Sequence, residues 1–212
     1  MRISNICGVI LAGGQSRRMG GGDKCLLKLG GKTLLRHSLD AVAPQVGPLL
    51  VNTNSDPELF SDYKYPIVAD VIDGFPGPLA GVLTAMEWAL ENAPDCPWVA
   101  SFASDAPFLP NDLVESMMGQ IVQDRADMAC ASSDGQIHPV FAMWPVSLAK
   151  ALRTAVDQEG IRKVDRWTAH YKLAITDYDT TDGDPFFNIN RPHDIAAAAL
   201  YLNGRTKVYP RS

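Results

Sequence analysis

Short, continuous apolar runs recur along the 212-residue chain. The first, Ile6–Leu11, is closed by glycines and reads as a strand buried on both faces, because a half-exposed strand would alternate apolar with polar residues. Runs of the same kind occupy 48–51, 67–69, 98–103, 128–131, 140–144 and 173–175. Between several of them the period changes from continuous to helical. Leu34, Leu35, Leu39 and Val42 fall on one helical face, as do Leu79, Val82, Leu83, Met86 and Leu90, and again Leu113, Val114, Met117 and Ile121. Pro78 marks one helix start, Pro110, Asn111 and Asp112 another, and a last helix is expected after Pro192. Residues 176–185 are polar enough to be read as a long loop. Strands alternating with helices predict an α/β sheet covered on both faces.

Composition narrows this picture. A hydrophobic content of 46% with 20% charged residues suits a folded core, and the length suits a single domain over residues 1–212. No internal repeat, low-complexity tract or compositional break marks a linker. A net charge of −5 argues against a general nucleic-acid surface, so any polyanion must be met by a local cluster of cations. The apolar runs are too short to span a membrane, and no cleavable leader pattern opens the chain. Cys7, Cys25, Cys96 and Cys130 lie far apart with no Cys-x-x-Cys pair, which points away from zinc or a disulfide framework and towards a reducing cytoplasm.

Candidate chemistry begins directly after the first strand. Residues 11–24 place Gly13, Gly14, Gly20, Gly21 and Gly22 among Arg17, Arg18 and Lys24. Glycines let a backbone approach a ligand and aim its N–H groups, while Arg and Lys neutralise phosphate charge. The segment is a phosphate loop by composition and position, the alternative being a flexible surface loop. It is neither a Walker loop, since Leu26 stands where the first glycine ahead of Gly31, Lys32 and Thr33 should be, nor a dinucleotide Gly-x-Gly-x-x-Gly.

A second signal closes the run at 98–103. Asp105 lies just beyond it, where open α/β sheets bind ligands and where a carboxylate suits Mg²⁺; helix capping or a turn is an equal reading of that residue alone. Asn52 and Asp70 close two further runs, and the turn through Gly74, Gly77 and Gly81 follows. Each is a turn signal by itself, but all are expected at the same carboxyl rim. Asn188, Asn190 and Arg191 before Pro192 suggest a helix cap, and His138 beside Pro139 reads as structural or substrate-positioning.

Taken in order, Leu11-Ala12-Gly13-Gly14, Ser16 to Gly20, Asp23-Lys24, Phe75 to Gly81, Asp105 with Pro107, His138-Pro139 and Asn188-Ile189-Asn190 with Pro192 resemble the molybdenum cofactor guanylyltransferase (MobA) family. The resemblance implies a Rossmann-like, three-layer nucleotidyltransferase fold with a mostly parallel mixed sheet. It implies transfer of GMP from GTP to molybdenum-molybdopterin with release of pyrophosphate. Leu11, Ala12 and Gly13 would then contact the guanine nucleotide, Lys24 its phosphates, Asn52 and Asp70 its base or ribose, and Asp105 the Mg²⁺. Gly14 and Gly81 join the nucleotide group, Arg18 the phosphate-neutralising cations, and Asn188 and Asn190 the pterin or metal. Gly13-Gly14, where CTP-using relatives carry Ala-Gly, favours GTP. Alternative readings are a cytidylyl- or sugar-phosphate nucleotidyltransferase and a noncatalytic nucleotide-binding, cofactor-delivery protein. Transient contacts with delivery proteins or molybdoenzymes are expected, with no nucleic acid and no membrane.

Overall fold

The computed structural model describes residues 3–13, 23–74, 77–202 and 204. In chain order the strands are β1 (Ile6–Leu11), β2 (Lys28–Leu29), β3 (Lys32–Thr33), β4 (Leu49–Asn52), β5 (Ile67–Val68), β6 (Trp98–Ala103), β7 (Met128–Ser133), β8 (Gln136–Pro145) and β9 (Leu173–Tyr178). The helices are α1 (Leu34–Val42), α2 (Pro78–Asn92), α3 (Leu113–Asp124), α4 (Ala149–Asp157), α5 (Val164–Thr168) and α6 (Pro192–Leu202). Seven strands form one sheet in the order β5-β4-β1-β6-β8-β7-β9, and β2 and β3 make a small separate hairpin. Within the sheet only β8 runs against its neighbours β6 and β7, so the sheet is mixed and mostly parallel.

Alternation along the central strands splits the core into two layers. Ile10, Phe102 and Met143 pack with Leu35 and Leu39 of α1 and Met117 of α3. On the opposite face Val9, Val99 and Trp144 pack with Val82 and Met86 of α2 and Leu152 of α4. Burying each large aliphatic side chain is worth about 1.5–3 kcal/mol, so these two faces are what hold the helices against the sheet. Local signals set the helix starts: the Thr33 hydroxyl accepts the Arg36 N–H at 3.1 Å to cap α1, and Pro78 occupies the first turn of α2, where no intrahelical N–H is needed.

Two expectations are corrected. The helical period puts Leu90 on the buried face of α2, yet it is 55% exposed, because it sits near the end of the helix, beyond the strongly buried stretch from Leu79 to Met86. Residues 176–178 belong to β9 rather than to a loop. They pair in parallel with Ala131, Ser132 and Ser133, and the alternation of buried Ala174 and Thr176 with exposed Ile175 and Asp177 suits a sheet edge. Among the described residues, no helix is long and apolar enough to cross a membrane.

Candidate active site

Parallel pairing sets Leu11 abreast of Asn52 on one side and of Ala103 on the other. The segments leaving β1, β4 and β6 therefore meet at one rim, where the carboxyl ends of parallel strands leave a crevice. The Ala12 N–H donates to the Asn52 carbonyl at 2.8 Å, and the Ser104 N–H to the Leu11 carbonyl at 3.3 Å. A cavity of about 600 Å³ opens there. Its lining includes Leu11, Ala12, Gly13, Lys24, Asn52, Asp70, Asp105 and Asn188, with Gln136 to Phe141 of β8 as the far wall.

At the centre of the rim, the Lys24 ammonium donates to Asp105 Oδ2 and, at 2.6 Å, to Asn190 Oδ1. The Lys24 and Asp105 side chains are 17% and 21% exposed, sheltered but open to the cavity. The Ile189 N–H donates to the Asp105 carbonyl at 3.0 Å, which ties the late Asn188–Asn190 segment to the β6 loop. The Asn190 and Arg191 N–H groups both donate to Asp194 Oδ2 at 2.8 Å, so Asp194 closes the start of α6 and the Asn190 side chain is left to accept from Lys24. Two oxygens of different chain segments thus converge on one positive charge. This hard donor set, one carboxylate and one amide carbonyl, has the chemistry that would suit a divalent cation. Among the described residues there is no cluster of three or more His, Cys, Asp or Glu able to hold a metal.

Asn52 Nδ2 donates to the Val68 carbonyl at 3.1 Å and to Asp70 Oδ1 at 2.9 Å. Asn54 Nδ2 donates to Asp70 Oδ2 at 2.8 Å, and its own Oδ1 accepts the Asp70 N–H at 2.8 Å. Two amides therefore clasp a half-buried carboxylate at the cavity edge. Gly81, in the first turn of α2, lies beneath this clasp rather than in the cavity lining. A Cβ there would sit 2.3 Å from Asn52 Oδ1 and 2.7 Å from Leu11 Cδ2. Gly81→Ala would gain about 1 kcal/mol of helix propensity on an exposed helix, yet here overpacking should cost about 1–3 kcal/mol. A lowered denaturation midpoint and a GTP affinity weakened about 10-fold are expected, the latter corresponding to about 1.4 kcal/mol. A variant more stable than the parent with unchanged GTP binding would show that the clasp does not depend on this close approach.

The far wall depends on the β7–β8 hairpin. Asp134 and Gly135 both have positive φ, 47° and 73°, the two-residue turn geometry that an Asp-Gly pair favours. Beyond it the pairing jumps: Ala131 lies opposite His138, but Cys130 opposite Ala142, so Pro139, Val140 and Phe141 bulge out of the β7–β8 ladder. Proline fits such a bulge because it has no N–H to donate. His138 Nε2 lies 2.7 Å from Ser133 Oγ, and that hydroxyl donates to Asp184 Oδ1 at 2.8 Å.

Burial holds the His138 pKa below the ordinary imidazole value, outweighing the opposing attraction of Asp184. In the window between the lowered folded value and the ordinary one near about 6.5, the unfolded chain takes up a proton that folded His138 does not. The stability contributed by neutral His138 is therefore full above that window and is lost as the pH falls through it. The drop in denaturation free energy between about pH 7.5 and about pH 5.5 should be smaller in His138→Gln than in the parent, and an equal drop would remove His138 as its source. The four cysteines are all buried, with burial pushing the thiols of Cys7, Cys25 and Cys130 up to about 12, so none is set up as a thiolate nucleophile.

Of the residues singled out in the sequence, the structure brings Leu11, Ala12, Gly13, Lys24, Asn52, Asp70, Asp105 and Asn188 to one cavity, with Asn190 reaching Lys24 from the side. Gly14 and Arg18 lie outside the described residues. Ser133 and Asp184, which hold His138, were not found from sequence. The Asp134-Gly135 pair was the available signal for the hairpin, but nothing local announces Asp184.

A parallel-sheet rim carrying Gly13, a sheltered Lys–Asp pair and a clasped carboxylate suits a nucleotidyltransferase. The chain belongs to the MobA-like NTP transferase domain family, which it matches over residues 8–173. It is 48% identical over 190 residues to the molybdenum cofactor guanylyltransferase of Rhodopseudomonas palustris strain HaA2, covering 90% of this chain and 89% of that protein. It is 44% identical over 205 residues to the protein of the same name from Mesorhizobium japonicum, covering 95% and 98%. Its fold is similar to that of molybdopterin-guanine dinucleotide biosynthesis protein A from Archaeoglobus fulgidus, with a TM-score of 0.74, 23% identity, and 93% and 99% of the two chains covered.

Proposed function

We propose that this chain transfers GMP from GTP to molybdenum-molybdopterin, forming the guanine dinucleotide cofactor and releasing pyrophosphate. The observation that carries the reading is the placement of the Lys24–Asp105 pair, which Asn190 reaches from the side, between two unlike walls of one cavity: Leu11 to Gly13, Asn52 and Asp70 on one side, and the β8 segment on the other. The identity to guanylyltransferases along nine-tenths of the chain supports the choice of base and acceptor.

In this reaction an oxygen of the acceptor's terminal phosphate attacks the α-phosphorus of GTP. The bond from the α-phosphorus to the bridging oxygen breaks, and pyrophosphate leaves with the electron pair. A phosphate nucleophile is largely ionised at neutral pH, so the protein's work is to align two polyanions and offset their repulsion. Leu11, Ala12 and Gly13 carry the nucleotide backbone-first, and Asn52 and Asp70 receive its base or ribose. Lys24 turns from Asp105 to the phosphates, joined by Arg18 and the backbone at Gly14. Asp105 and Asn190 offer the oxygens for Mg²⁺, which when bound supplies positive charge against the phosphate oxygens. Asn188 faces the acceptor. One domain carries the whole reaction in the cytoplasm, with delivery proteins or molybdoenzymes as transient partners.

The test is pyrophosphate release by purified protein with Mg²⁺ and molybdenum-loaded molybdopterin, comparing GTP with CTP. Release with GTP alone is expected. Release with CTP alone would overturn the base, and release with neither would overturn the acceptor.

A further inference from the structure

From the far wall inward, three polar side chains are buried in series. Ser133 is fully buried, Asp184 is 2% exposed and His138 7%. Asp184 Oδ1 also accepts the Phe186 N–H at 3.0 Å, which fixes the carboxylate, and the His138 ring packs on Phe186 with centroids 4.7 Å apart. The Cys130 thiol donates to the His138 carbonyl at 3.2 Å, holding the backbone of the bulge. Three apolar side chains would fill this space without the desolvation that a buried polar set costs, so its hydrogen-bond order is the feature to explain.

That order follows from proton counting. A carboxylate only accepts, so the single Ser133 proton goes to Asp184 and the Ser133 lone pair faces His138. Nε2 must then carry the imidazole hydrogen, and in the neutral ring Nδ1 is the accepting nitrogen. His138 lines the cavity. Because β8 lies across β6 from β1 and β4, His138 stands on the opposite side of Asp105 from Asn52.

We propose that Ser133 and Asp184 are positioning residues that lock His138 as the Nε2–H tautomer, so that Nδ1 accepts a hydrogen bond from a ring N–H of the pterin acceptor. The assignment rests on the proposed transfer reaction for the identity of the acceptor, but the tautomer itself does not depend on it.

The closing experiment has two readouts. Imidazole ¹⁵N NMR of the wild-type protein near neutral pH should show His138 protonated at Nε2 and bare at Nδ1. Asp184→Ala frees the Ser133 proton to turn towards Nε2 and should move the imidazole hydrogen to Nδ1. The same variant should raise KM for molybdopterin about 10-fold, the size of one hydrogen bond worth about 1.4 kcal/mol, while GTP affinity changes less than about twofold. Asp184→Asn keeps an accepting oxygen for Ser133 and Phe186 and should restore the acceptor KM to within about threefold. A wild-type His138 carrying its hydrogen on Nδ1 would overturn the proposal without any kinetics, even if Asp184→Ala failed to fold. An unchanged acceptor KM in a folded Asp184→Ala would overturn it as well. If the wild-type protein formed no dinucleotide, the transfer reaction would fall, the pterin contact with it, and the NMR would still decide the relay.

Discussion

Asp105→Ala is expected to lower kcat for GMP transfer by about 10³-fold or more, while the protein stays folded. The side chain is part of the Lys24 and Asn190 cluster at the rim, and the structural tie from this residue, the Ile189 N–H to the Asp105 carbonyl, belongs to the backbone and survives the change. Removing the carboxylate takes away an acidic oxygen that converges with Asn190 Oδ1 on Lys24. It also leaves the Lys24 ammonium without its counter-charge. A unit charge pair at about 4 Å is worth roughly 4 kcal/mol at an effective dielectric near 20, and about 1.4 kcal/mol is a tenfold change in rate. Single-turnover kinetics with the purified variant, alongside its denaturation midpoint, checks both halves. Turnover within about tenfold of the parent would remove Asp105 from the phosphate and metal chemistry.

Lys24→Ala is expected to act on both binding and transfer. Lys24 spans Asp105 and Asn190 at the cavity rim, so its ammonium is held beside the site from which the proposed reaction has it turn to the phosphates. Its loss should weaken GTP affinity about 10- to 100-fold and slow transfer by about 10²-fold, since a sheltered cation stabilises charge that grows as pyrophosphate leaves. Lys24→Arg should recover less than the charge alone would suggest, because a planar guanidinium cannot place three donors around the Asp105 and Asn190 oxygens as an ammonium does. GTP titration and pre-steady-state rates separate the two effects. Unchanged affinity and rate would reduce Lys24 to an ion-pair partner of Asp105.

The placement of the central half of this candidate site is legible in the sequence because it follows from strand register. Ile6–Leu11 is apolar at every position, which requires burial on both faces, and 98–103 repeats the pattern with Ser101 as its one polar residue. Two such strands lying side by side in parallel place Leu11 next to Ala103, so Gly13 and Asp105 must emerge together. Asn52 followed for the same reason. The direction of β8 did not, because a continuous run such as 140–144 reads identically either way. Ala149, Leu152, Ala155 and Val156 of α4 form an amphipathic pattern too rich in alanine to stand out beside the longer helices, and α5 is barely more than one turn. Gly81 was grouped with the nucleotide contacts, whereas its place under Asn52 comes from helix-to-strand packing that no local pattern reports. The link from Ser133 to Asp184 joins residues 51 positions apart and depends on the parallel pairing of β7 with β9, which carries the chain into the Asp184 loop.

Transfer of label from [α-³²P]GTP tests the proposed reaction most directly. Purified protein incubated with Mg²⁺ and molybdenum-loaded molybdopterin should pass the label into a pterin guanine dinucleotide, with one pyrophosphate released for each label transferred. Label that stays in GTP, or appears only as free GMP, would contradict it.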